Sequence, residues 1–490
     1  MEPFTIFSIV SFFLILYTCW ALVTTTKTPR NLPPGPPKLP IIGHIHLLDK
    51  ITPHRNLRNL AQKYGPIMHL QLGQFSTVVI SSPRLAREIL KIQDINFADK
   101  PTTTTSQIFF YQGASIGWAP YGSYLIQMKK LVTLQLFSAK KVRSFSYIRE
   151  DELTRVFKFL ESSSGAPINF RDMTKEMVNN IVSRATLGDI CQDRQLIIDS
   201  TYAMLKSFNS FNVFNYYRCL NFVNVISGKK AQWLKMHKEV DVILERILKE
   251  HKNNLNQDHE DIVDILLRVK DSGDIVMTND HVKAIILELL LAGTSSSSMT
   301  IEWAFCEMMK NPKIMKKAQS EVRGVVKGNT ITEADIQRLD YIKLVIKETM
   351  RLHGVPILLP RENQKDCIVD GYDIPAKTRV LVNSWACATD PDTWENPYSF
   401  IPERFENSSI SYSGDDFEFL PFGAGRRMCP GVNFGLSTVE HAIANLLYHF
   451  NWKLPDGLKP DDLDMREVTA ISTVPIQPLR IVPISMKEAY

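Results

Sequence analysis

Cysteine is scarce in this chain and poorly spaced for structural use. The seven cysteines (Cys19, Cys191, Cys219, Cys306, Cys367, Cys387 and Cys429) are scattered through 490 residues, odd in number and without metal-finger spacing. That argues against a disulfide-built scaffold or a zinc module and fits a reducing compartment. Excess charge of one sign is lacking too. The 57 basic and 52 acidic side chains leave +5, too mild a balance to argue for nucleic acid. No repeat or internal linker interrupts the chain after residue 40, so residues 41–490 read as one large domain. Residues 4–23 lack charge altogether and are dominated by Phe, Ile, Leu and Val. About 20 apolar residues span a bilayer core. A cleaved signal peptide would want a positive start and a shorter apolar run. This chain starts Met1-Glu2-Pro3, so residues 1–25 read as a retained anchor. Lys27 and Arg30 follow and put the next segment on the cytoplasmic side. Residues 26–40 form a basic, proline-rich linker, in which Pro33-Pro34-Gly35-Pro36-Pro37 is a stiff, extended spacer.

The most informative segment is 422–431, Phe-Gly-Ala-Gly-Arg-Arg-Met-Cys-Pro-Gly. It carries Phe422, Gly425, Arg427, Cys429 and Gly431 at the spacing Phe-x-x-Gly-x-Arg-x-Cys-x-Gly. An apolar stretch that reads as a helix follows (Val432, Phe434, Leu436, Val439, Ala442, Leu446, Leu447). Glycine lets the backbone fold back without a Cβ clash. A sulfur just ahead of a helix N-terminus meets unpaired N–H groups that favour its thiolate. A thiolate, close backbone approach and the nearby Arg427 cation together suit a flat, dianionic, iron-bearing cofactor, which is haem. A lone cysteine in a glycine-rich turn is more often simply buried, but here the whole spacing is met.

Elsewhere the pattern is mainly helical with a small β part. Residues 67–73 and 77–80 read as paired strands. Asp370-Gly371 reads as a hairpin turn between 367–369 and 378–382. Thr278 is a candidate N-cap for a long helix running to Met308. Glu348 and Arg351 share a face of a helix over 342–353.

The cysteine segment resembles the haem-binding loop of the cytochrome P-450 monooxygenases, and the resemblance covers nearly the whole chain. Residues 97–101 (Phe-Ala-Asp-Lys-Pro), the Glu348/Arg351 pair, residues 402–405 (Pro-Glu-Arg-Phe) and the proline run look like the plant microsomal type. The resemblance implies a mainly α fold with small β-sheets, one domain behind an N-terminal transmembrane helix. It implies heme b held by Cys429 as the metal ligand, with Arg427, Phe422, Gly425 and Gly431 around it and Arg361 and Lys129 on its carboxylates. An ordinary strand-edge arginine is the other reading of Arg361. Glu348, Arg351 and Arg404 would form a buried structural trio. O2, an NADPH-cytochrome P-450 reductase, the endoplasmic reticulum membrane and a small apolar substrate are the implied partners. Lys129, Lys130, Lys140, Lys141 and Arg143 would face the reductase, unless they are simply a solvated face.

Two departures from the family pattern stand out. Where the family has Trp-x-x-x-Arg, this chain has Leu125 and Lys129. The indole donor is gone, and lysine pairs only as a point charge. Where the central helix should read Ala/Gly-Gly-x-Asp/Glu-Thr-Thr/Ser, it reads Ala292-Gly293-Thr294-Ser295-Ser296-Ser297. The resemblance implies that Ala292-Gly293 leaves room for oxygen and that Ser295 and Ser296 stand where an acid and a threonine organise proton delivery. Ser296 keeps a hydroxyl; Ser295 cannot relay charge as a carboxylate does. Neutral exchange among small hydroxyl residues and altered chemistry are both open. By position, the pocket would be lined by Phe109, Ile116, Phe208, Phe211, Leu291, Ile357, Leu358 and Thr473, mostly apolar. The reading is a monooxygenase of a plant terpenoid or terpene-indole alkaloid. A haem-thiolate cyclase or isomerase without oxygen insertion, and a haem-binding sensor without turnover, are the rivals.

Overall fold

The computed structural model describes residues 30–188, 194–209, 216–217, 221–253, 260–328, 330–354, 357–455, 457–469 and 473–486, with Ser8, Ser11 and Phe12. Apart from those last three residues, the anchor predicted over residues 4–23 lies outside the described residues.

Helix Asn279–Lys310 is the axis of the fold. Thr278 caps it: its side chain accepts from the His281 N–H, and the His281 ring accepts from the Thr278 N–H. The helix is buried on several faces, through Val282, Ile285, Leu290, Ile301, Trp303 and Phe305, as befits a helix surrounded by protein. Among the described residues it is the one helix long and apolar enough to cross a membrane, and most of that apolar stretch is buried in the core. Helices Phe170–Leu187, Asp340–Leu352 and Val432–His449 pack around it. Phe170, Phe305 and Trp452 lock this core with ring centroids 4.5 to 5.6 Å apart.

A four-stranded sheet flanks the helices. Ile67–Leu72 and Phe75–Ile80 form an antiparallel pair across Gly73. Phe75–Ile80 then runs parallel to Arg379–Asn383, which is antiparallel to Leu358–Glu362. The Asp370-Gly371 turn forms, but it closes a shorter hairpin than the sequence suggested. Cys367–Val369 pairs with Tyr372–Ile374. Asp370 (φ 52) and Gly371 (φ 81) are both left-handed, which suits a two-residue turn that returns the chain at once. The apolar run at Arg379–Asn383 is drawn into the larger sheet instead, where both its neighbours are strands. Nearer the C-terminus, Glu467–Thr469 pairs with Thr473–Pro475, and Phe450–Lys453 with Arg480–Ser485.

One buried ionic knot ties helix Asp340–Leu352 to the segment after it. Arg351 makes two hydrogen bonds to the Glu348 carboxylate, at 2.7 and 2.8 Å. Arg404 donates to Glu348 at 2.9 Å, as does the Ile401 N–H. Glu348 and Arg351 side chains are fully buried. Arg351 also reaches the carbonyls of Ala388 and Pro397. Losing the carboxylate charge would leave two guanidinium groups with no anion in a dry setting. We therefore expect Glu348→Gln to lower stability by about 3–5 kcal/mol, read as a shift in the chemical-denaturation midpoint. A loss below about 1 kcal/mol would mean the knot behaves like an exposed pair.

Candidate functional site

The cysteine loop is shaped by two left-handed glycines. Gly423 has φ +68 and Gly425 φ +66; a Cβ on Gly425 would lie 2.2 Å from the Leu90 carbonyl oxygen. The loop docks onto that neighbouring segment, where Asp94 accepts from the Arg426 N–H at 2.9 Å. The Cys429 N–H donates to the Phe422 carbonyl at 2.9 Å, closing the loop. Gly431, at φ −88, is the N-cap of helix Val432–His449 and has no left-handed strain to relieve. Its N–H faces the Cys429 sulfur.

Cys429 differs from the other described cysteines. Cys306 and Cys387 are buried, Cys367 is half-buried, and the Cys429 side chain is accessible although protein surrounds it. Burial pushes its thiol up, while the Gly431 N–H and the Lys129 ammonium pull the other way. Four cations converge on the same region. Burial, and then Arg361 and Arg427, bring Lys100 down to about 7. Burial and then Arg427 bring Lys129 to about 8 and Arg361 to about 10. Arg427 is likewise depressed by burial. Arg361 is 3% exposed, and among the described residues its guanidinium hydrogen-bonds the adjacent Pro360 carbonyl alone. It sits on the edge strand of the four-stranded sheet, buried there beside the other cations. Lys129 donates to the Arg426 carbonyl at 2.7 Å.

Arg427 does something the sequence did not suggest. Its guanidinium is spent on main-chain carbonyls: Nε on Ala98, Nη1 on Ile116 at 3.1 Å and Nη2 on Ala119. From the other side, Glu288 of the central helix accepts from the Gly117 N–H at 2.7 Å, and from Ile116. Burial raises the Glu288 carboxyl, opposed by Lys100. Loop 110–119 is thus pinned between the cysteine loop and the central helix. Lys100 and Glu288 were missed in the sequence. Lys100 stood in view within Phe-Ala-Asp-Lys-Pro. Glu288 is a lone acid in the apolar run Ile285-Ile286-Leu287-Glu288-Leu289-Leu290, which demands a polar partner once buried.

On the central helix Ala292 is accessible between buried Leu290 and Thr294. Gly293 points elsewhere: a Cβ there would meet Val182 Cγ1 at 3.2 Å. Its smallness serves the close approach of helix Phe170–Leu187, so the Ala292-Gly293 step divides between two neighbours. Ser296 donates to the Ala292 carbonyl at 2.8 Å, and Thr300 to Ser296 at 2.9 Å; such back-bonding uses the hydroxyl locally. Ser295 and Leu291 line a small cleft with Asn179, Thr201, Tyr202 and Thr294.

The remaining pocket candidates are dispersed. Phe109 and Ile116 are buried in the main core. Ile357 lines a separate cleft with Met350, Trp385 and Leu420. Leu358 packs toward Met68, Leu70 and Val79. Thr473 is fully buried and donates to the His353 carbonyl at 3.4 Å. The side chain of Phe208 and all of Phe211 lie outside the described residues. Leu125, where the family has an indole, is buried core at 1% exposure. In the basic cluster, Lys141 turns inward onto the Glu260 carbonyl at 2.6 Å, whereas Lys130, Lys140 and Arg143 are exposed.

The donor set fits haem. An accessible thiol backed by an amide N–H suits a soft iron ligand. Arg361 and Arg427 depress Lys100 and Lys129, and Arg427 depresses Arg361, a repulsion that two carboxylates would relieve.

The cytochrome P450 family model matches residues 33–480. The chain is 73% identical over 492 residues to the germacrene A acid 8-beta-hydroxylase of Helianthus annuus, covering 100% of each chain. It is 63% identical over 492 residues to the costunolide synthase of Cichorium intybus, covering 99% of each. Among solved structures, a zebra fish cytochrome P450 with progesterone superimposes with TM-score 0.77 at 24% identity, covering 88% of this chain and 99% of that one. The chain belongs to the cytochrome P450 family. It is a haem-dependent monooxygenase, with heme b as its cofactor.

Replacing Arg427 by lysine should free two of the three carbonyls it holds. We expect a loss of about 2–3 kcal/mol and faster proteolysis within residues 98–119. An unchanged melting point and cleavage pattern would show that the three carbonyl bonds contribute nothing.

Proposed function

We propose that this protein hydroxylates a sesquiterpene acid of the germacrene A acid class. The observation that carries the reading is full-length identity of 73% and 64% to two germacrene A acid 8-beta-hydroxylases, from Helianthus annuus and Inula hupehensis. Leu291, in the cleft beside Ser295, suits a hydrocarbon skeleton, with Phe109 and Ile116 in the apolar core as further candidate contacts.

Cys429 provides the thiolate, stabilised by the Gly431 N–H and by the positive field of Lys129 and Lys100. Lys100, Lys129 and Arg361 hold the cofactor carboxylates. Arg427 adds charge from its place among the carbonyls of Ala98, Ile116 and Ala119. Bound there, haem supplies the activation of dioxygen. Ala292, small and accessible, would leave room for oxygen beside the bound cofactor. To pass a proton on, the Ser296 hydroxyl would turn away from the Ala292 carbonyl to which it donates and take up another from a neighbouring donor, and Ser295 stands beside it without a charge of its own. Glu348, Arg351 and Arg404 support the fold beneath.

Residues 4–23 anchor the chain in the endoplasmic reticulum membrane, residues 26–40 are the linker, and residues 41–490 the cytoplasmic catalytic domain. Electrons come from an NADPH-cytochrome P450 reductase. Lys130, Lys140 and Arg143 are the exposed cations available for its acidic surface. Ile126 and Leu134, 51% and 57% exposed, lie one helical step either side of Lys130 and add an apolar stripe to that face.

Microsomes carrying the protein and a reductase should convert germacrene A acid to a hydroxylated product, dependent on NADPH and O2. They should leave terpene-indole alkaloids unchanged. No turnover of the acid, or turnover without oxygen, would overturn the reading. The same assay decides the Ser295 question. In a conventional hydroxylase, Ser295→Asp should raise product per NADPH and lower peroxide release with the same product. A changed product would favour altered chemistry. Indifference of both would remove position 295 from proton delivery.

A further inference from the structure

Three successive residues in loop 110–119 adopt left-handed backbone: Tyr111 at φ 47, Gln112 at φ 56 and Gly113 at φ 93. Only the glycine does so without strain; non-glycine residues there cost energy and persist where surroundings over-determine them. The turn itself is closed by the Gln112 N–H on the Gln107 carbonyl at 2.8 Å and by the Gly113 and Ala114 N–H groups on the Phe110 carbonyl at 3.0 Å. The Tyr124 hydroxyl donates to the Ala114 carbonyl. A further side-chain tether lies at the outer end of the loop. The Tyr111 hydroxyl donates to Asp241 Oδ1 at 2.8 Å, on helix Lys229–Asn253. Lys283 of the central helix donates to the same Asp241 oxygen at 2.7 Å, pairs with Glu245 at 2.8 Å and reaches Asp280 at 3.7 Å. Lys283 is 5% exposed. The Tyr111 ring rests edge-on against His237, centroids 4.6 Å apart.

The inner end of the loop is held by Arg427 and Glu288, the same groups that act on the cysteine site. The Ile116 and Ala119 carbonyls and the Gly117 N–H are its attachment points. Strain at Tyr111 and Gln112 therefore lies between two fixed ends. Release of the outer end would let those residues relax and draw Ile116 and Gly117 away from their partners.

We propose that Tyr111 is a positioning residue. Its phenol, tied to the Asp241–Lys283 pair, holds the loop in the strained form that presents Ile116 and Gly117 to Arg427 and Glu288, and so keeps the Ile116 wall in the substrate-ready position. The bond acts at a distance: Tyr111 touches neither Cys429 nor Ala292 in this structure. It sets the fraction of molecules whose loop is correctly placed. When that fraction falls, apparent substrate affinity falls with it.

The test uses the full chain in microsomes or detergent. Tyr111→Phe removes one hydroxyl and keeps the ring against His237. Backbone hydrogen exchange over residues 108–119 should accelerate roughly tenfold, the effect of losing one hydrogen bond to a charged group. KM for the substrate should rise several-fold, with kcat little changed and the reduced carbon-monoxide spectrum unaltered. Unchanged exchange would overturn the proposal. So would faster exchange with unchanged KM, because the loop would then be loose without consequence. Gln112→Gly is the counter-test, since Gln112 is exposed and glycine accepts its backbone. It should slow exchange in the same loop and restore protection in the Tyr111→Phe background. Failure to do so overturns the strain argument, and this variant alone decides if Tyr111→Phe does not fold. The KM arm rests on the proposed sesquiterpene acid. If wild type does not turn that acid over, the substrate reading falls, while the exchange arm still judges the tether.

Discussion

Four inward-facing cations around one accessible thiol form the constraint to which the rest of the molecule answers. Lys100, Lys129, Arg361 and Arg427 are all held below their usual protonation range by burial, and the two arginines push the two lysines down further, as Arg427 does Arg361. Burying a single charge costs several kcal/mol unless it is paired. The acids within reach are Asp94, Asp99 and Glu288, and burial raises two of these, Asp94 and Glu288. A chain that sets four cations against three acids, two of them pushed toward the neutral form by burial, has room for a further anion here. A thiol at a helix N-terminus adds the soft ligand. Together they define haem more narrowly than the cysteine alone.

The scaffold keeps those charges from flying apart by spending Arg427 on main-chain carbonyls. Its fork satisfies Ala98, Ile116 and Ala119, and Glu288 takes the opposing amides at Ile116 and Gly117. The cysteine loop, loop 110–119 and the central helix thereby become one unit. Gly425 makes this possible, because any side chain there would strike the Leu90 carbonyl. The site's electrostatics and loop 110–119 are therefore mechanically coupled.

Much of this was legible in the sequence wherever several residues had to agree at once. The ten-residue cysteine segment carries a turn, a cation, a ligand and a helix start, and few other chemistries need all four. The Thr278 cap and the Glu348–Arg351 spacing were readable for the same reason, since helix geometry fixes who meets whom. Single residues were harder. Gly293 read as space for oxygen, but the helix is buried on more than one side and the missing side chain admits Val182. Ile357, Leu358 and Thr473 read as pocket wall from their place in the chain. Strand alternation and a buried hairpin send them into different layers. Lys141 read as a docking charge, but its tip is taken by Glu260, a partner 119 residues away. Periodicity reports which face of a helix is apolar; it does not report which neighbour covers it.

The central claim is that Cys429 supplies the thiolate to haem iron. The most direct measurement is the carbon-monoxide difference spectrum of the reduced protein, taken on wild type and on Cys429→His at equal haem content. The account predicts the red-shifted Soret band of thiolate ligation in wild type and its complete loss in the variant. The same red-shifted band in both proteins would contradict it.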